Sequence, residues 1–244
     1  MISRTLRVFA VVVGIAVAPS AVSAQKFDYF GAAGPMFWSE LSPGWSTCGH
    51  GKTQSPVDFT SPSQMQSHKL AIAYGDTTGE IFNNRHTIEV ETEGRDTLTL
   101  KGVTYKLVQF HFHSVSEHLV KGRGFDMEMH LVHASPDGSN AVIGVFLRRG
   151  SSSGSLAPIF QSLPDDLSIK HPLEAPFNPR SFLPKSDAHF QYLGSLTTPP
   201  CTEGVQWIVM NEPVTLSDED MARFNERIHF NARPVQRHVR ASQR

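Results

Sequence analysis

Short segments in which apolar and polar residues alternate recur along the chain from about residue 81 onward. Alternation with a period of two is typical of β-strands that have one buried face. Turn residues rich in glycine, proline and aspartate separate these segments. The pattern predicts strands near residues 81–82, 87–92, 97–100, 103–113, 126–134, 141–149, 188–195 and 205–210.

One of these turns predicts a specific strand pairing. Asp137-Gly138 lies between two apolar runs, and an Asp-Gly pair in that position is a strong hairpin signal. We therefore expect the strands that carry His130 and Val142 to pair antiparallel.

Few segments have helical periodicity. Ser217 followed by three acidic residues is typical of a helix start, and Met221, Phe224 and Ile228 follow at helical spacing. A shorter helix is predicted near residues 156–163. The 18 glycines and 16 prolines, spread along the chain, argue against a helical bundle. We expect one domain of the α+β class that is dominated by a mostly antiparallel sheet with peripheral short helices.

The N-terminus has the features of a secretory signal peptide. Arg4 and Arg7 precede an apolar run at residues 8–18, and small residues at 21–24 form a cleavage site. The run is too short to span a bilayer. We therefore predict a signal peptide at residues 1–24, a folded domain at 25–244, and a periplasmic or secreted location.

Charge gives little indication of a partner. The chain has 22 Lys and Arg against 23 Asp and Glu, and no basic run is long enough to predict nucleic-acid or membrane binding. The tail at residues 233–244 is locally basic, and a solvated terminus is favoured over a binding patch.

The two cysteines, Cys48 and Cys201, are an even number in a chain with a secretory signal. This combination favours a disulfide. Two buried free thiols or metal ligation are the alternatives.

Two histidines on one predicted strand are the clearest candidates for chemistry. His111 and His113 are two residues apart, so they share one face of the strand and can bind a single metal ion. His130, on a neighbouring strand, can supply a third nitrogen. Three neutral nitrogen ligands with an open fourth position are typical of a catalytic zinc site.

The residues around these histidines support a metal site. Gln109 and Glu128 lie on the same faces as the histidines, where they can accept a hydrogen bond from the second ring nitrogen of a ligand. The alternative for Glu128 is an exposed residue on an edge strand. On the strand of the first pair, Val108, Phe110 and Phe112 are expected to share the opposite face and to enter a core.

A cupin-type metal site is a rival interpretation. His111-x-His113-x-x-x-Glu117, with Gly124 beyond it, is similar to half of the cupin motif, in which the glutamate is a ligand and the metal is often manganese or iron. The second half needs a histidine soon after Pro136-Asp137-Gly138. None follows until His171, so the motif is incomplete.

One further segment separates these possibilities: Gly194-Ser195-Leu196-Thr197-Thr198-Pro199-Pro200. With it, the chain resembles the α-class carbonic anhydrases over essentially the whole mature sequence. The resemblance rests, in order, on Gln54-Ser55-Pro56-Val57, Asn83-Asn84-Arg85-His86, Gln109 to His113, Ser116-Glu117-His118, Glu128 to His133, Ala141 to Leu147, Leu196 to Pro200 and Asn231-x-Arg233-Pro234.

The resemblance implies a large central twisted sheet and the reversible hydration of carbon dioxide to bicarbonate by attack of zinc-bound hydroxide. It implies Zn²⁺ on His111, His113 and His130, and a side activity on activated esters. Thr197 matches a threonine that accepts the proton of this hydroxide and donates to a carboxylate, here Glu117.

The resemblance also assigns the surroundings of the metal. His86 matches the proton shuttle, while Tyr29 and Asn84 match residues that hold the water chain. Glu89 stands where many relatives have a neutral amide, which predicts a raised pKa for His86. The carbon dioxide site is expected at Val132, Val142, Leu196, Thr198, Val205 and Trp207.

Ser114 stands where animal relatives have tryptophan. Together with the signal peptide and the two cysteines, this resembles the bacterial extracytoplasmic branch of the family. The family pattern implies cis bonds at Ser55-Pro56 and Pro199-Pro200. We further expect a small-molecule substrate, no nucleic-acid partner and no membrane span after signal cleavage. The protein is expected to be a monomer or a homodimer. The remaining alternative is a non-catalytic relative that keeps the fold as a binding module.

Overall fold

One large β-sheet organises residues 26–237, the part of the chain that the computed structural model describes. The predicted signal peptide and residues 238–244 of the basic tail lie outside the described residues. The strands are β1 (Asp58–Phe59), β2 (Met65–Gln66), β3 (Ala71–Ala73), β4 (Gly79–Asn83), β5 (Ile88–Thr92), β6 (Thr97–Leu100), β7 (Val103–His113), β8 (Leu119–Val120), β9 (Met127–Ala134), β10 (Asn140–Gly150), β11 (His171–Pro172), β12 (His189–Ser195) and β13 (Glu203–Ser217).

The helices are short. The α-helices are α1 (Trp38–Leu41), α2 (Thr47–His50), α3 (Ala157–Gln161) and α4 (Asp218–Arg227). Single 3₁₀ turns cover Gly31–Ala33, Pro43–Trp45, Pro62–Gln64, Gly154–Leu156 and Pro179–Phe182. No helix among the described residues is both long enough and apolar enough to cross a membrane.

The main sheet has 11 strands in the order β11-β4-β5-β7-β9-β10-β13-β12-β2, and β6 joins β3 to β7 at one side. Within it, β10 and β13 pair in parallel and the other pairs are antiparallel. A separate parallel pair is formed by β1 and β8. The expectation of a sheet-dominated α+β domain is confirmed.

The predicted hairpin joins β9 to β10. The strands pair antiparallel, with Val142 opposite Val132 and Gly144 opposite His130. Gly138 has a φ of 84°, which a residue without Cβ adopts at little cost. The Asp-Gly turn thereby places His130 in the middle of the sheet.

One face of β7 differs from the prediction. Phe110 and Phe112 are buried as expected, but Val108 is 43% exposed and Leu107 is buried in its place. The register shifts between Leu107 and Gln109, so Val108 is an extra residue in a β-bulge. The bulge changes the phase of the alternation, which lets Leu107 and Phe110 face the same core.

The strand that we expected at residues 205–210 is longer than predicted. Its pairing with β10 is interrupted after Met210 and resumes at Val214. Pro213, which has no N–H to donate to a strand ladder, lies in this interruption. The predicted end therefore marks an irregularity within β13.

Two apolar cores lie on the two faces of the sheet. One contains Phe110, Phe112 and Ile143, and α3 and α4 cover it through Phe160 and Phe224. The other is smaller and lies on the face that carries the candidate chemistry. It contains Val57, Phe59, Val142, Phe146, Phe190, Val205, Trp207 and Val209.

The helix predicted after Ser217 is α4. The Ser217 hydroxyl accepts a hydrogen bond from the N–H of Asp220 at 3.2 Å, as in an N-cap. Ile228 is buried but follows the last helical residue rather than lying within the helix. The shorter predicted helix is confirmed as α3, which a 3₁₀ turn precedes.

A disulfide joins Cys48 to Cys201, with 5.0 Å between their Cα atoms, as predicted. It packs against Tyr29 and Trp38 in a small cluster at the N-terminal end of the described chain. The two expected cis bonds precede Pro56 and Pro200, and a third joins Ser114 to Val115.

Candidate metal centre

Three histidines converge on one face of the sheet. His111 on β7 lies opposite His130 on β9, and His113 follows two residues along β7. Their ligand nitrogens all lie within 4.8 Å of one another. The ring centroids are 4.5 to 5.3 Å apart. The structure thus brings together the three histidines that the sequence singled out.

The hydrogen bonds leave one nitrogen of each ring directed at the other two rings. His111 Nδ1 bonds to Gln109 Oε1 at 2.8 Å, and His113 Nδ1 bonds to the backbone oxygen of Asn231 at 2.8 Å. His130 uses Nε2 instead, which lies 2.9 Å from Glu128 Oε1. Such bonds fix the tautomer of a metal-binding imidazole.

The donor set fits a zinc ion. His113 Nε2 is buried and has no hydrogen-bond partner among the described residues, which is costly for a polar atom unless a ligand takes it up. The available atoms are two Nε2 and one Nδ1, all imidazole nitrogens, and imidazole is a preferred ligand of zinc.

Burial favours the neutral form of two of these rings, His111 and His113. Loss of solvent lowers the pKa of His111 well below its ordinary value, and the neighbouring His113 and His130 lower it further. The pKa of His113 is lowered chiefly by burial, against an opposing effect of the nearby Glu117. Neutral imidazoles offer the lone pairs that a cation needs.

Glu128 is a buried carboxylate that accepts four hydrogen bonds. Oε2 accepts from the N–H groups of Glu117 and His118 at 2.9 and 2.8 Å, and Oε1 from the rings of His118 and His130 at 2.7 and 2.9 Å. Burial raises its pKa, but the two imidazoles outweigh burial and hold the pKa well below the ordinary range. The alternative of an exposed edge residue is wrong.

A second set of possible ligands, His118, Glu128 and His130, also lies close together. Here the short distances are those of hydrogen bonds from both rings to one carboxylate oxygen. The ring N–H protons of His118 and His130 point at this oxygen and occupy the space that a cation would need. The role of Glu128 and His118 is therefore to orient His130 rather than to bind a second metal ion.

Glu117 lies beside the metal centre. Its Oε2 is 3.6 Å from His113 Nε2 and 3.9 Å from His130 Nδ1. Among the described residues, neither of the two sets whose ligand atoms all lie within 4.8 Å of one another includes Glu117. The cupin-type arrangement, with this glutamate as an equal ligand, is therefore not supported.

The expected hydrogen bond between Thr197 and Glu117 is not formed in this arrangement. Glu117 Oε1 accepts from the N–H of Arg233 at 2.8 Å, and the buried Oε2 has no partner among the described residues. Thr197 is itself buried. A buried acceptor without a donor is costly, so this oxygen is suited to accept a hydrogen bond from a neighbouring hydroxyl.

His86 lies in a turn at the end of β4. Its ring stacks on Phe27, with 3.9 Å between centroids and 11° between planes, and remains partly exposed. Burial lowers its pKa, with Asp28 opposing and Arg85 adding to the shift. The expected rise in the pKa of His86 is not found, since the net shift is downward.

Glu89 and Asn84 pair instead with each other. Asn84 Nδ2 donates to Glu89 Oε2 at 3.0 Å, and Asn84 Oδ1 accepts from the backbone N–H groups of His86 and Thr87. Burial raises the pKa of Glu89, and the bond from Asn84 opposes this. Asn84 therefore shapes the turn that presents His86.

Tyr29 is buried against Trp38, with 5.7 Å between ring centroids. Burial raises the pKa of its hydroxyl well above the ordinary value, and the negative charge of Glu117 adds to the shift.

An apolar surface adjoins the histidines. Trp207 lies 4.8 Å from His130, centroid to centroid. Val142 and Val205 are buried with Trp207 in the smaller core, and Val132 and Leu196 pack against it. The structure thus brings together five of the six residues that were expected to form the carbon dioxide site; Thr198 is only partly buried, in the loop that follows Leu196.

Several residues near the centre had no predicted role. His118 lies between Glu128 and the Tyr192 hydroxyl, which is 2.6 Å from His118 Nε2 and 2.8 Å from Ser55 Oγ. Asn231 holds His113 through a backbone oxygen. Both histidine and asparagine belong to motifs that carry the family resemblance, but spacing in the sequence gives no sign of these contacts.

Arg233 is also buried. Its guanidinium donates to Gln54 Oε1 and to the backbone oxygens of Ser55 and Cys48 at 2.7 to 3.0 Å. Burial lowers its pKa to about 10, while Glu117 acts in the opposite direction. The sequence did not indicate this role, because Arg233 lies in a basic tail for which a solvated terminus was expected. The other described arginine of the tail, Arg237, is indeed exposed.

Comparison with known proteins gives a consistent result. Residues 33–244 match the family model described as eukaryotic-type carbonic anhydrase. A carbonic anhydrase from Pectobacterium carotovorum is 36% identical over 228 residues, which cover 93% of each chain.

Solved structures agree at the level of the fold. An α-carbonic anhydrase from Thermovibrio ammonificans, in complex with the inhibitor sulfanilamide, superposes with a TM-score of 0.85 at 36% identity and covers 89% of this chain and 98% of its own. Dioscorin complexed with ascorbate has a TM-score of 0.80 at 30% identity and covers 87% of this chain and 94% of its own. The fold alone therefore does not fix the ligand.

Proposed function

The chain belongs to the eukaryotic-type, or α-class, carbonic anhydrase family. We therefore propose that His111, His113 and His130 bind the catalytic zinc ion. The protein is an enzyme that catalyses the reversible, zinc-dependent hydration of carbon dioxide to bicarbonate and a proton. The observation that supports the ligand assignment is the convergence of three imidazole nitrogens whose ring partners are already satisfied.

When bound, zinc supplies a Lewis acid and lowers the pKa of a water ligand to about 7, a value known from carbonic anhydrase itself. The protein contributes the orientation of the ligands. Gln109, Glu128 and the backbone of Asn231 each accept a ring N–H, so the three rings cannot rotate away from the centre.

We propose that Thr197 and Glu117 orient the attacking oxygen. Glu117 Oε2 has no donor among the described residues, and the Thr197 hydroxyl is suited to supply one. A hydroxyl whose proton is directed at Glu117 must accept with its oxygen lone pairs. The Thr197 hydroxyl would then accept a hydrogen bond from the nucleophile, which keeps its proton, and so direct a lone pair of that nucleophile at the substrate.

Carbon dioxide is small and apolar, and the adjoining wall suits it. We propose that Val132, Val142, Leu196, Val205 and Trp207 bind it, with Thr198 at the polar edge. Their packing against one another beside His130 supports this role, because an apolar surface next to the centre displaces water from the substrate position.

His86 is the proposed proton shuttle. Its partly exposed ring can take a proton from the centre and release it to buffer, because imidazole ordinarily titrates near neutrality. Stacking on Phe27 and the turn held by Asn84 fix its position, while Tyr29 and Asn84 supply polar groups for a water chain.

The disulfide fits an oxidising compartment. Together with the N-terminal features of the sequence, it supports a signal peptide at residues 1–24, cleavage before the domain at 25–244, and a periplasmic or secreted enzyme. We also propose hydrolysis of activated esters as a side activity, and a monomer or homodimer without nucleic-acid partners.

The test combines metal analysis with stopped-flow hydration of carbon dioxide. Protein purified without added metal is expected to contain one zinc per chain, and His111→Ala is expected to lose both the zinc and the activity. A wild-type protein that binds zinc but hydrates carbon dioxide no faster than buffer would contradict the proposed function. Manganese or iron at full occupancy would instead favour the cupin-type chemistry.

A further inference from the structure

A second pair of imidazoles lies away from the metal centre. On β12, Phe190 belongs to the core on the side of the metal centre, so its neighbour His189 faces the other side of the sheet. His189 pairs with Gln66 of β2, and His68 lies two residues after Gln66 in the chain. The centroids of the two histidine rings are 4.9 Å apart and their planes are at 81°.

This geometry matches that of the metal centre. The three ring pairs of His111, His113 and His130 have centroid separations of 4.5 to 5.3 Å and interplanar angles of 50 to 87°. The separation and angle of His68 and His189 fall within both ranges. Two imidazoles that bind one ion are expected at such a spacing.

The hydrogen bonding of His189 also matches that of a ligand. His189 is fully buried, and its Nδ1 lies 2.7 Å from the backbone oxygen of Asp187. A carbonyl oxygen can only accept, so Nδ1 carries the proton and Nε2 has the lone pair. Nε2 is buried without a hydrogen-bond partner among the described residues, as His113 Nε2 is.

The His189 ring is suited to remain neutral. Burial lowers its pKa below the ordinary value, although the backbone oxygen of Asp187 acts in the opposite direction. A neutral ring with a fixed tautomer and a lone pair that no donor uses is prepared for a ligand other than a proton.

We infer that His68 and His189 form a second, peripheral site for a divalent transition-metal ion, which the two imidazoles hold and water completes. His68 is exposed and lines a cavity of about 670 Å³, from which an ion can reach its ring; His189 packs against that ring but does not line the cavity. With only two protein ligands, this site binds its ion more weakly than the catalytic centre does.

The surroundings restrict the kind of ion. Lys69 and Lys101 line the same cavity and no carboxylate does, whereas the negative charge of Asp187 acts on His189 from outside it. Calcium and magnesium need several oxygen ligands and are excluded. Ions with a strong preference for imidazole remain, and among first-row divalent ions Cu²⁺ binds nitrogen sites most strongly.

An ion at this site would join the segment after β2 to β12. Because β2 pairs with β12 through only Met65 and Gln66, this link would strengthen a short edge pairing. An ion that binds the folded protein and not the unfolded chain raises thermal stability.

The experiment titrates Cu²⁺ into the zinc-loaded enzyme. Isothermal titration calorimetry is expected to give one further ion per chain, and electron paramagnetic resonance is expected to show nitrogen hyperfine coupling. His68→Ala should weaken this binding by at least about tenfold, since even the outer partners of metal ligands contribute 10- to 100-fold. The same variant should keep the catalytic zinc and the rate of carbon dioxide hydration.

His50→Ala removes another exposed histidine and serves as the matched control, with unchanged Cu²⁺ binding expected. His189→Gln should also lose the additional ion. Because His189 is buried and its replacement risks misfolding, the exposed His68 carries the decisive test. Absence of a further stoichiometric Cu²⁺ in the wild type, or unchanged binding in His68→Ala, would overturn the inference whatever the result for the catalytic zinc.

Discussion

At the scale of single residues, the acceptors around the metal centre matter as much as the ligands. His111 and His113 are released for metal binding through Nε2, whereas His130 uses Nδ1, because Glu128 accepts its Nε2–H. The acceptor that binds the N–H of each ring thus decides which ring nitrogen is left for the metal. A residue that never touches the ion can therefore determine how tightly the ion is held.

Replacing Gln109 tests this directly. Gln109→Ala removes the acceptor for His111 Nδ1–H, so the ring loses its fixed orientation and zinc affinity is expected to fall by about 10- to 100-fold. Competition with a fluorescent chelator measures the affinity. Gln161→Ala, at an exposed position of α3, should leave it unchanged. Equal affinities for the two variants would remove Gln109 from the site.

The proposed shuttle makes a prediction about pH. His86 must be neutral to accept a proton, so the hydration rate in weak buffer should rise with pH through its pKa. Burial lowers that pKa, so the midpoint attributable to His86 should lie below the ordinary value of about 6.5. Stopped-flow rates in weak buffer, compared between wild type and variant across pH, isolate this step.

His86→Ala should lower the rate in weak buffer by at least about tenfold, and imidazole should largely restore it. The variant should still bind zinc as the wild type does. A rate that stays the same without imidazole would show that protons leave by another route.

At the scale of elements, the bulge in β7 allows one strand to serve two functions. On the N-terminal side of Val108, Tyr105 and Leu107 enter the core; on its C-terminal side, Phe110 and Phe112 do so while His111 and His113 face the metal centre. The Thr92 hydroxyl donates to the carbonyl of Leu107 at 2.9 Å and supports the bulge. Strict alternation would direct Leu107 to the wrong face.

Deleting Val108 should therefore be far more damaging than substituting it. The deletion forces one half of β7 out of phase, and exposing a single buried leucine already costs about 1.5–3 kcal/mol. We expect a loss of at least that size in urea unfolding, together with lower zinc content. Val108→Thr keeps the chain length at an exposed position and should be nearly neutral. A deletion variant with the stability and zinc content of the wild type would show that the bulge is dispensable.

At the scale of the whole molecule, segments from near both ends of the described residues meet at Arg233, which also contacts Glu117 beside the metal centre. Arg233, near the C-terminal end, donates to the backbone of Cys48 and Ser55, and its own N–H bonds to Glu117. The disulfide ties the same N-terminal segment to Cys201, just beyond the loop of Thr197. Segments that are far apart in the sequence are thus held together next to the active site.

Removing this link should destabilise the fold. The bridged residues are separated by 153 positions, and loss of a native disulfide typically costs about 2–5 kcal/mol. The double variant Cys48→Ser, Cys201→Ser should unfold at lower urea concentration than the wild type. Its midpoint should not change with reductant, whereas that of the wild type should fall. If reductant leaves the wild type unaffected, the bridge makes no contribution to stability.

The sequence by itself determined the strands that carry His111 and His130, the hairpin from the His130 strand to β10, the capped helix α4 and the three histidines. These follow from local rules: alternation, turn chemistry, capping and ligand spacing act within a few residues. The resemblance to the carbonic anhydrases supplied the residues that lie further apart, among them Thr197 and His86.

Only the tertiary structure decided the phase change at Val108, the interruption of β13 at Pro213, the buried position of Arg233 and the pairing of His68 with His189. It also decided the direction in which the pKa of His86 shifts. Each of these depends on contacts between segments far apart in the chain, and on how much water those contacts exclude. A local pattern fixes which face a residue can occupy, but burial and long-range partners fix its charge and its chemistry.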